Sequence, residues 1–290
     1  MTAKAGTSDD MAMKFLTNWK PGLTALLAAT IFIATAERLK STPRQTVSVE
    51  MRVALPLFVQ VFMSMGDRYL AANIAAIRAL VVAPDKMRAE EFRILAKVQE
   101  DVSWLNPGHE DNYYIAFAIL AQYGETDSAQ TILARASRMR FFDYQPSFFY
   151  AFNQWYYKHD PAGASAWMRE AAEKLPDPDQ RLTMQNMAAR WMDKVDDTEL
   201  AIRVVEAMAK EARRKDFRAY LEMRVARLRQ LHQLRTAAAV YRERYGKPLA
   251  DLRELVGSGI LPALPRDPFG FGFDLDPRGQ IILRTSPPRS

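Results

Sequence analysis

The segment Asp127–Ala136 (DSAQTILARA) aligns with Ala162–Ala171 (AGASAWMREA) at an offset of 35 residues, and this near-repetition constrains the fold more than any other feature. Each segment follows an aromatic-rich stretch: Tyr113–Tyr123, closed by Gly124, in the first case, and Phe148–Tyr157, closed by His159 and Asp160, in the second. A third pair follows at Gln180–Lys194 and Thr198–Ala212, where Ala201 lies 37 residues after Ala164. An earlier pair, Ala54–Met65 and Arg68–Val82, has the same rhythm. Before residue 260 the apolar side chains recur at helical intervals, and strand-like alternation is nearly absent. One helix pair cannot bury its apolar face alone, so such pairs must stack. The expected class is mostly α.

These units resemble the tetratricopeptide-type helical repeat, whose units run to ~34 residues with small side chains where two helices touch. Ala129 and Ala164 stand at such touching positions, with Tyr114, Phe117, Phe149, Phe152 and Trp155 placed to fill the space between layers. Pro146 and Pro176 fall near unit boundaries. The resemblance covers about 111–212, and more weakly 52–106. It implies a tetratricopeptide-like α-solenoid over 45–215. Such scaffolds grip partner segments in a concave groove, and Tyr113, Tyr114, Phe149, Trp155, Tyr156 and Trp167 are the expected partner-binding side chains.

The N-terminal part points to a membrane. After a 20-residue tail (1–20) there is no charge from Pro21 to Ala36, 16 residues, and the anchor is read as 21–40. A full hydrocarbon span needs ~20 apolar residues, so the flanks matter: Trp19 and Lys20 before, Arg38 and Lys40 after, can sit among headgroups. Ala34-Thr35-Ala36 has the small-x-small form of a signal-peptidase site, and a buried soluble helix has a similar length. Against cleavage, the preceding tail is long and carries Asp9 and Asp10. An uncleaved single-pass anchor is the expectation, with a short cytoplasmic tail and the main domain on the periplasmic side of a bacterial inner membrane. A second apolar stretch, Val53–Gly66, has only 14 residues and is read as a buried helix with Pro56 in its first turn.

A longer helix is expected over Asp216–Tyr245. Phe217, Leu221, Val225, Leu228, Leu231, Leu234, Ala238, Tyr241 and Tyr245 form one apolar stripe, while Arg218, Arg224, Arg227, Arg229 and Arg235 crowd the rest. The basic face can meet phosphates or lipid headgroups. Interrupted by Glu222 and Glu243, it reads better as a solvated surface. Gly246 should cap this helix in the left-handed conformation, with Pro248 blocking its return. A short helix at Leu249–Val256 and two strands, Phe271–Leu275 and Gln280–Leu283, are expected to follow, joined by a turn at Asp276–Gly279.

In this tail Tyr241, Gly246, Pro248, Leu249, Leu252, Gly259, Leu261, Pro262, Pro265, Asp267, Pro268, Phe269, Gly270 and Gly279 form a pattern. It resembles the C-terminal segment of the type II secretion pseudopilin and type IV pilin-like family. The resemblance implies a helix-plus-β-hairpin module at the end of 216–290 and a bacterial source. Some members bind calcium in this loop, which makes Asp267, Asp274 and Asp276 candidate oxygen ligands; turn-capping is the ordinary alternative for Asp267 and Asp276.

Composition excludes more than it assigns. With no Cys, disulfides, thiolate metal sites and Cys nucleophiles are impossible. Only His109, His159 and His232 remain for imidazole chemistry. His109 precedes Glu110 and Asp111 at an apparent helix start, and Asp160-Pro161 after His159 reads as an N-cap and first helical residue. The expected role is a membrane-anchored, non-catalytic scaffold that binds proteins in an envelope assembly (secretion, pilus or transport), with no cofactor required. The competing readings are an envelope-polymer hydrolase with an unrecognised carboxylate pair and a basic module for lipid or nucleic acid. Nucleic acid is not the expected partner, since Glu211, Asp216, Glu222 and Glu243 interrupt the basic field.

Overall fold

The computed structural model describes residues 20–41 and 53–286. The chain divides into two compact units, Met1–Ser48 and Val49–Ser290.

Within the first unit, α1 (Lys20–Ser41) is a 22-residue helix. At 1.5 Å per residue this is roughly 33 Å, the thickness of a hydrocarbon core. Its stretch Gly22–Lys40 is long and apolar enough to cross a membrane, and none of it is buried. The polar side chains inside it are satisfied locally: Thr30 Oγ1 donates to the Leu26 carbonyl at 2.8 Å, and Thr35 Oγ1 to that of Ile31. Such back-bonding lets threonine sit in an apolar medium. The expectations about the tail 1–19 lie outside the described residues.

The second unit runs α2 (Leu57–Met63), α3 (Arg68–Leu80), a 3-10 turn at Pro84–Lys86, α4 (Ala89–Leu105) and α5 (Glu110–Ile115), which continues as a π-helical segment, Ala116–Leu120. Then come α6 (Thr126–Met139), α7 (Gln145–Tyr156), α8 (Pro161–Glu173), α9 (Pro178–Met192), α10 (Thr198–Glu211), α11 (Lys215–Tyr245) and α12 (Glu254–Gly257). The strands β1 (Phe273–Leu275) and β2 (Ile281–Leu283) close the chain as an antiparallel hairpin in which Phe273 faces Leu283 and Leu275 faces Ile281.

Local chemistry sets several of these boundaries. Four helices start on an aspartate whose carboxylate accepts first-turn N–H groups that have no partner within the helix: Asp67 for α3, Asp160 for α8, Asp177 for α9 and Asp197 for α10. Pro161 and Pro178 follow two of them, where the missing N–H costs nothing. Gly246 ends α11 at φ 67°, as expected. A Cβ there would meet no neighbour within 4 Å, so Gly246→Ala pays only backbone strain. The expected loss is about 1 kcal/mol in chemical denaturation, with no change in helix content by circular dichroism.

Packing follows chain order: α3 lies on α4, α6 on α7, α7 on α8, α8 on α9, and α10 on α11. Alanine is prominent among the side chains buried between these helices. Ala129 and Ala164 are fully buried, as are Ala151, Ala188, Ala189 and Ala201. One cluster of buried side chains runs from Ala71 on α3 to Ala136 on α6. A second runs from Ala151 on α7 to Leu283 on β2. Leu221, Leu228, Leu231 and Leu234 make α11 the spine of the second cluster, which also takes in Leu249, Leu255 and Ile281 of the C-terminal module.

Three expectations are corrected. The Val53–Gly66 stretch is not a buried helix: α2 is seven residues long with none buried, and Phe58, Phe62 and Met65 are exposed. The stretch touches the core through Ala54 and Val61, and Gln60 donates to Asp101 on α4 at 3.0 Å, but its largest apolar side chains are left outside. The short helix over Leu249–Val256 shrinks to Glu254–Gly257. Its start is fixed by Glu254, whose carboxylate accepts the Tyr241 hydroxyl and the N–H groups of Ala250 and Asp251. Finally, the arginine-rich side of α11 is not simply solvated, because Arg224 and Arg227 are buried.

Candidate functional site

Those two buried arginines form the floor of a groove of about 660 Å3. Residues 220, 224 and 227 on α11 are spaced i, i+4 and i+7, so Tyr220, Arg224 and Arg227 share one helix face. Trp155 from α7, Trp191 and Arg190 from α9, Lys194 beyond it, and Phe269, Phe271 and Arg284 from the C-terminal module complete the lining. Trp155 and Trp191 stack with ring centroids 5.1 Å apart. Arg227 lies 5.6 Å from the rings of both Phe269 and Phe271, and Arg224 lies 5.4 Å from that of Tyr220. Flat aromatic walls around cations suit a segment carrying both apolar and acidic groups.

The electrostatics separates an inner from an outer set of charges. Arg224 donates to the Asp193 carboxylate and, at 2.7 Å, to the Tyr220 hydroxyl. Arg227 donates to Asp267 at 2.9 Å and to the carbonyl of Arg284 at 2.7 Å. The Nε atoms of both arginines have no hydrogen-bond partner among the described residues. Burial pushes the Asp193 carboxyl up, and although Arg224 and Arg227 pull it back, it ends above the usual carboxylate range. At the rim, Arg190 and Lys194 are exposed and make no ion pair among the described residues. Five cations (Arg190, Lys194, Arg224, Arg227, Arg284) therefore face three carboxylates (Asp193, Asp267, Asp274), and the two exposed cations are the ones left for a ligand.

The side chains expected to bind a partner do not form one surface. Trp155 alone lines this groove. Tyr113 is corrected outright: it is fully buried, and its hydroxyl donates to Asp143 at 2.7 Å. Burial, helped by that carboxylate, pushes its pKa well above the ordinary tyrosine value. Tyr114 stacks on Tyr113 at 4.8 Å and donates to Gln145. Phe149 stacks on Phe117 at 4.0 Å, and Trp167 on Tyr150 at 3.8 Å. These four are half-buried or buried packing groups, whereas Tyr156 is exposed and stacks on Phe152. Sequence reasoning missed Trp191, Tyr220, Arg224, Arg227 and Phe269. Their one shared signal, arginine among aromatics, is spread across three segments.

The three aspartates of the C-terminal module have partners of their own. Asp267 is almost wholly buried and accepts the N–H groups of Phe269, Phe271 and Gly272 at 3.0, 3.1 and 2.7 Å, besides Arg227. Asp274 takes Arg284 at 3.0 Å and the Leu275 N–H; the Arg284 hydrogen bond leads in holding its carboxyl below the usual range. Asp276 accepts the N–H groups of Arg278 and Gln280, closing the hairpin turn. Among the described residues no group of three or more His, Asp or Glu side chains is arranged to hold a metal ion.

A second cavity of about 650 Å3, between α8, α9, α10 and the start of α11, contains Glu170, Glu173 and Glu211. Glu211 pairs with Arg169 at 3.1 Å, Glu170 lies 3.5 Å from Lys174, and Glu173 accepts from Gln185 at 3.3 Å. Compared with protein-family models, with curated proteins and with solved structures, the chain matches none of them.

Proposed function

We propose that this chain is a membrane-anchored, non-catalytic adaptor that holds a partner protein in a bacterial envelope assembly. In this reading α1 is a single-pass anchor, the helix pairs are a tetratricopeptide-like stack on the periplasmic side, and the C-terminal segment is a pilin-like module serving as a cap. The observation that carries it is the groove of Trp155, Trp191 and Phe269 with Arg190 and Lys194 exposed at its rim. Its aromatic walls supply the buried contact that dominates most protein interfaces, and the rim cations select an acidic segment. Anchoring raises the effective concentration of whatever is bound near the membrane. The carboxylates in the second cavity are engaged by neighbouring donors, which favours the adaptor over the hydrolase reading.

The test is affinity capture from membranes solubilised in mild detergent. The wild-type chain should retain a stoichiometric protein partner. Trp155→Ala should weaken retention by roughly 30-fold, as loss of a ~2 kcal/mol anchor would. Arg190→Glu with Lys194→Glu should slow association and make capture far less sensitive to salt. A partner retained equally by all three chains would remove the groove from the reading, and no partner at all would remove the adaptor.

A further inference from the structure

Helix α3 has two unlike faces. Ala71, Ala75 and Ala79 are buried against α4, which lets the two backbones approach. On the other side Leu70, Ile74 and Ile77 follow one another at i, i+4 and i+7 and stand in the open, Ile77 at 61% exposure. The preceding helix adds Phe58 and Phe62, also i and i+4, and the connection adds Met65; Phe62 is 82% and Met65 95% exposed. Single exposed apolar residues are normal on any protein, but six large ones between Phe58 and Ile77, on two consecutive helices and their connection, are an apolar concentration that marks an interaction surface.

Two observations identify what covers it. Residues 42–52 separate α1 from Val53, 11 residues that even fully extended reach only about 40 Å. The patch is thus tethered close to any bilayer that α1 enters. From Arg38 to Arg88 there are eight Lys or Arg and three Asp or Glu, and four of those cations precede Val53, on the side toward α1. A large apolar face preceded in the chain by an excess of cations suits the headgroup region of an anionic membrane. We infer that the α2–α3 face docks on the bilayer surface, its Phe, Ile and Leu side chains entering the acyl boundary. This rests on the anchor reading of α1.

The chain has no native cysteine, so single labels can be placed without background. Full-length protein with an environment-sensitive fluorophore at Leu27→Cys, Phe62→Cys, Ile77→Cys or Glu199→Cys is reconstituted into phosphatidylcholine vesicles containing about a third phosphatidylglycerol, with and without brominated acyl chains. Labels at 27, 62 and 77 should lose at least about half their emission to the brominated lipid, while the label at 199 should not respond. Replacing the anionic lipid should weaken quenching at 62 and 77 but not at 27. Quenching at 27 with none at 62 and 77 overturns the docking and leaves the anchor intact. Quenching at 62 and 77 without 27 upholds surface docking and removes the anchor. Labels at 62 and 77 that are shielded from water yet unquenched, with disulfide formation between unlabelled Ile77→Cys chains, would assign the face to a second copy and overturn the proposal.

Discussion

Asp267→Ala should cost the second unit about 3–5 kcal/mol, the usual loss when one member of a buried ion pair is removed. Its carboxylate accepts three backbone N–H groups and the Arg227 guanidinium, and both side chains are almost sealed from water. Alanine would take the acceptor from the three N–H groups at once and leave the buried guanidinium without its counter-charge. Arg227 keeps the carbonyls of Arg284 and Gly272 as acceptors, which sets the lower end of the range. For a unit of this size the midpoint of thermal unfolding should fall by on the order of 10 °C. Asp267→Asn preserves the shape and part of the acceptor set and should fall between wild type and alanine. A loss below ~1 kcal/mol for the alanine variant would show that the loop from Pro265 to Gly272 does not depend on this pair.

Asp143→Ala should be the next most damaging change, about 2–4 kcal/mol, because it strips partners from a fully buried tyrosine and from Arg140. The pH dependence separates this site from a simple packing defect. Burial pushes the Asp143 carboxyl up, but hydrogen bonds from the Gln145 N–H, Arg140 and Tyr113 outweigh it, so the pKa ends below the ordinary value. A carboxyl with a depressed folded-state pKa binds its proton more readily in the unfolded chain. Its contribution is therefore complete above the unfolded value of about 4 and is lost as pH falls through the folded one. Wild-type stability should drop on acidification below about pH 4, and Asp143→Asn should flatten that part of the curve, as followed by urea unfolding at stepped pH. An unchanged slope in the asparagine variant would assign the acid sensitivity elsewhere.

Helix positions were legible in the sequence because the signals that set them are local. Asp160-Pro161 starts α8 and Gly246 stops α11 through bonds spanning at most four residues, and both sit where the sequence places them. The hairpin turn at Asp276–Gly279 was equally readable. Burial was not legible in the same way. An apolar run such as Val53–Gly66 announces that water is unfavourable, but not whether a neighbouring element covers it. Arg224 and Arg227 were hidden for a complementary reason: their partners Asp193 and Asp267 lie 31 and 40 residues away in the chain. The groove suffered from both. Trp155 reads as repeat packing, Arg224 as helix surface and Phe269 as loop, and only their convergence makes a site.

The neutralised arginines beneath that groove also change how its field should be pictured. A formal charge counts Arg224 and Arg227 equally with Arg190 and Lys194, yet an approaching molecule feels mainly the latter two, since the deeper pair is answered by Asp193 and Asp267 within the protein. Long-range attraction and short-range shape are thereby divided between different side chains, and either can be altered by substitution while the other is left standing.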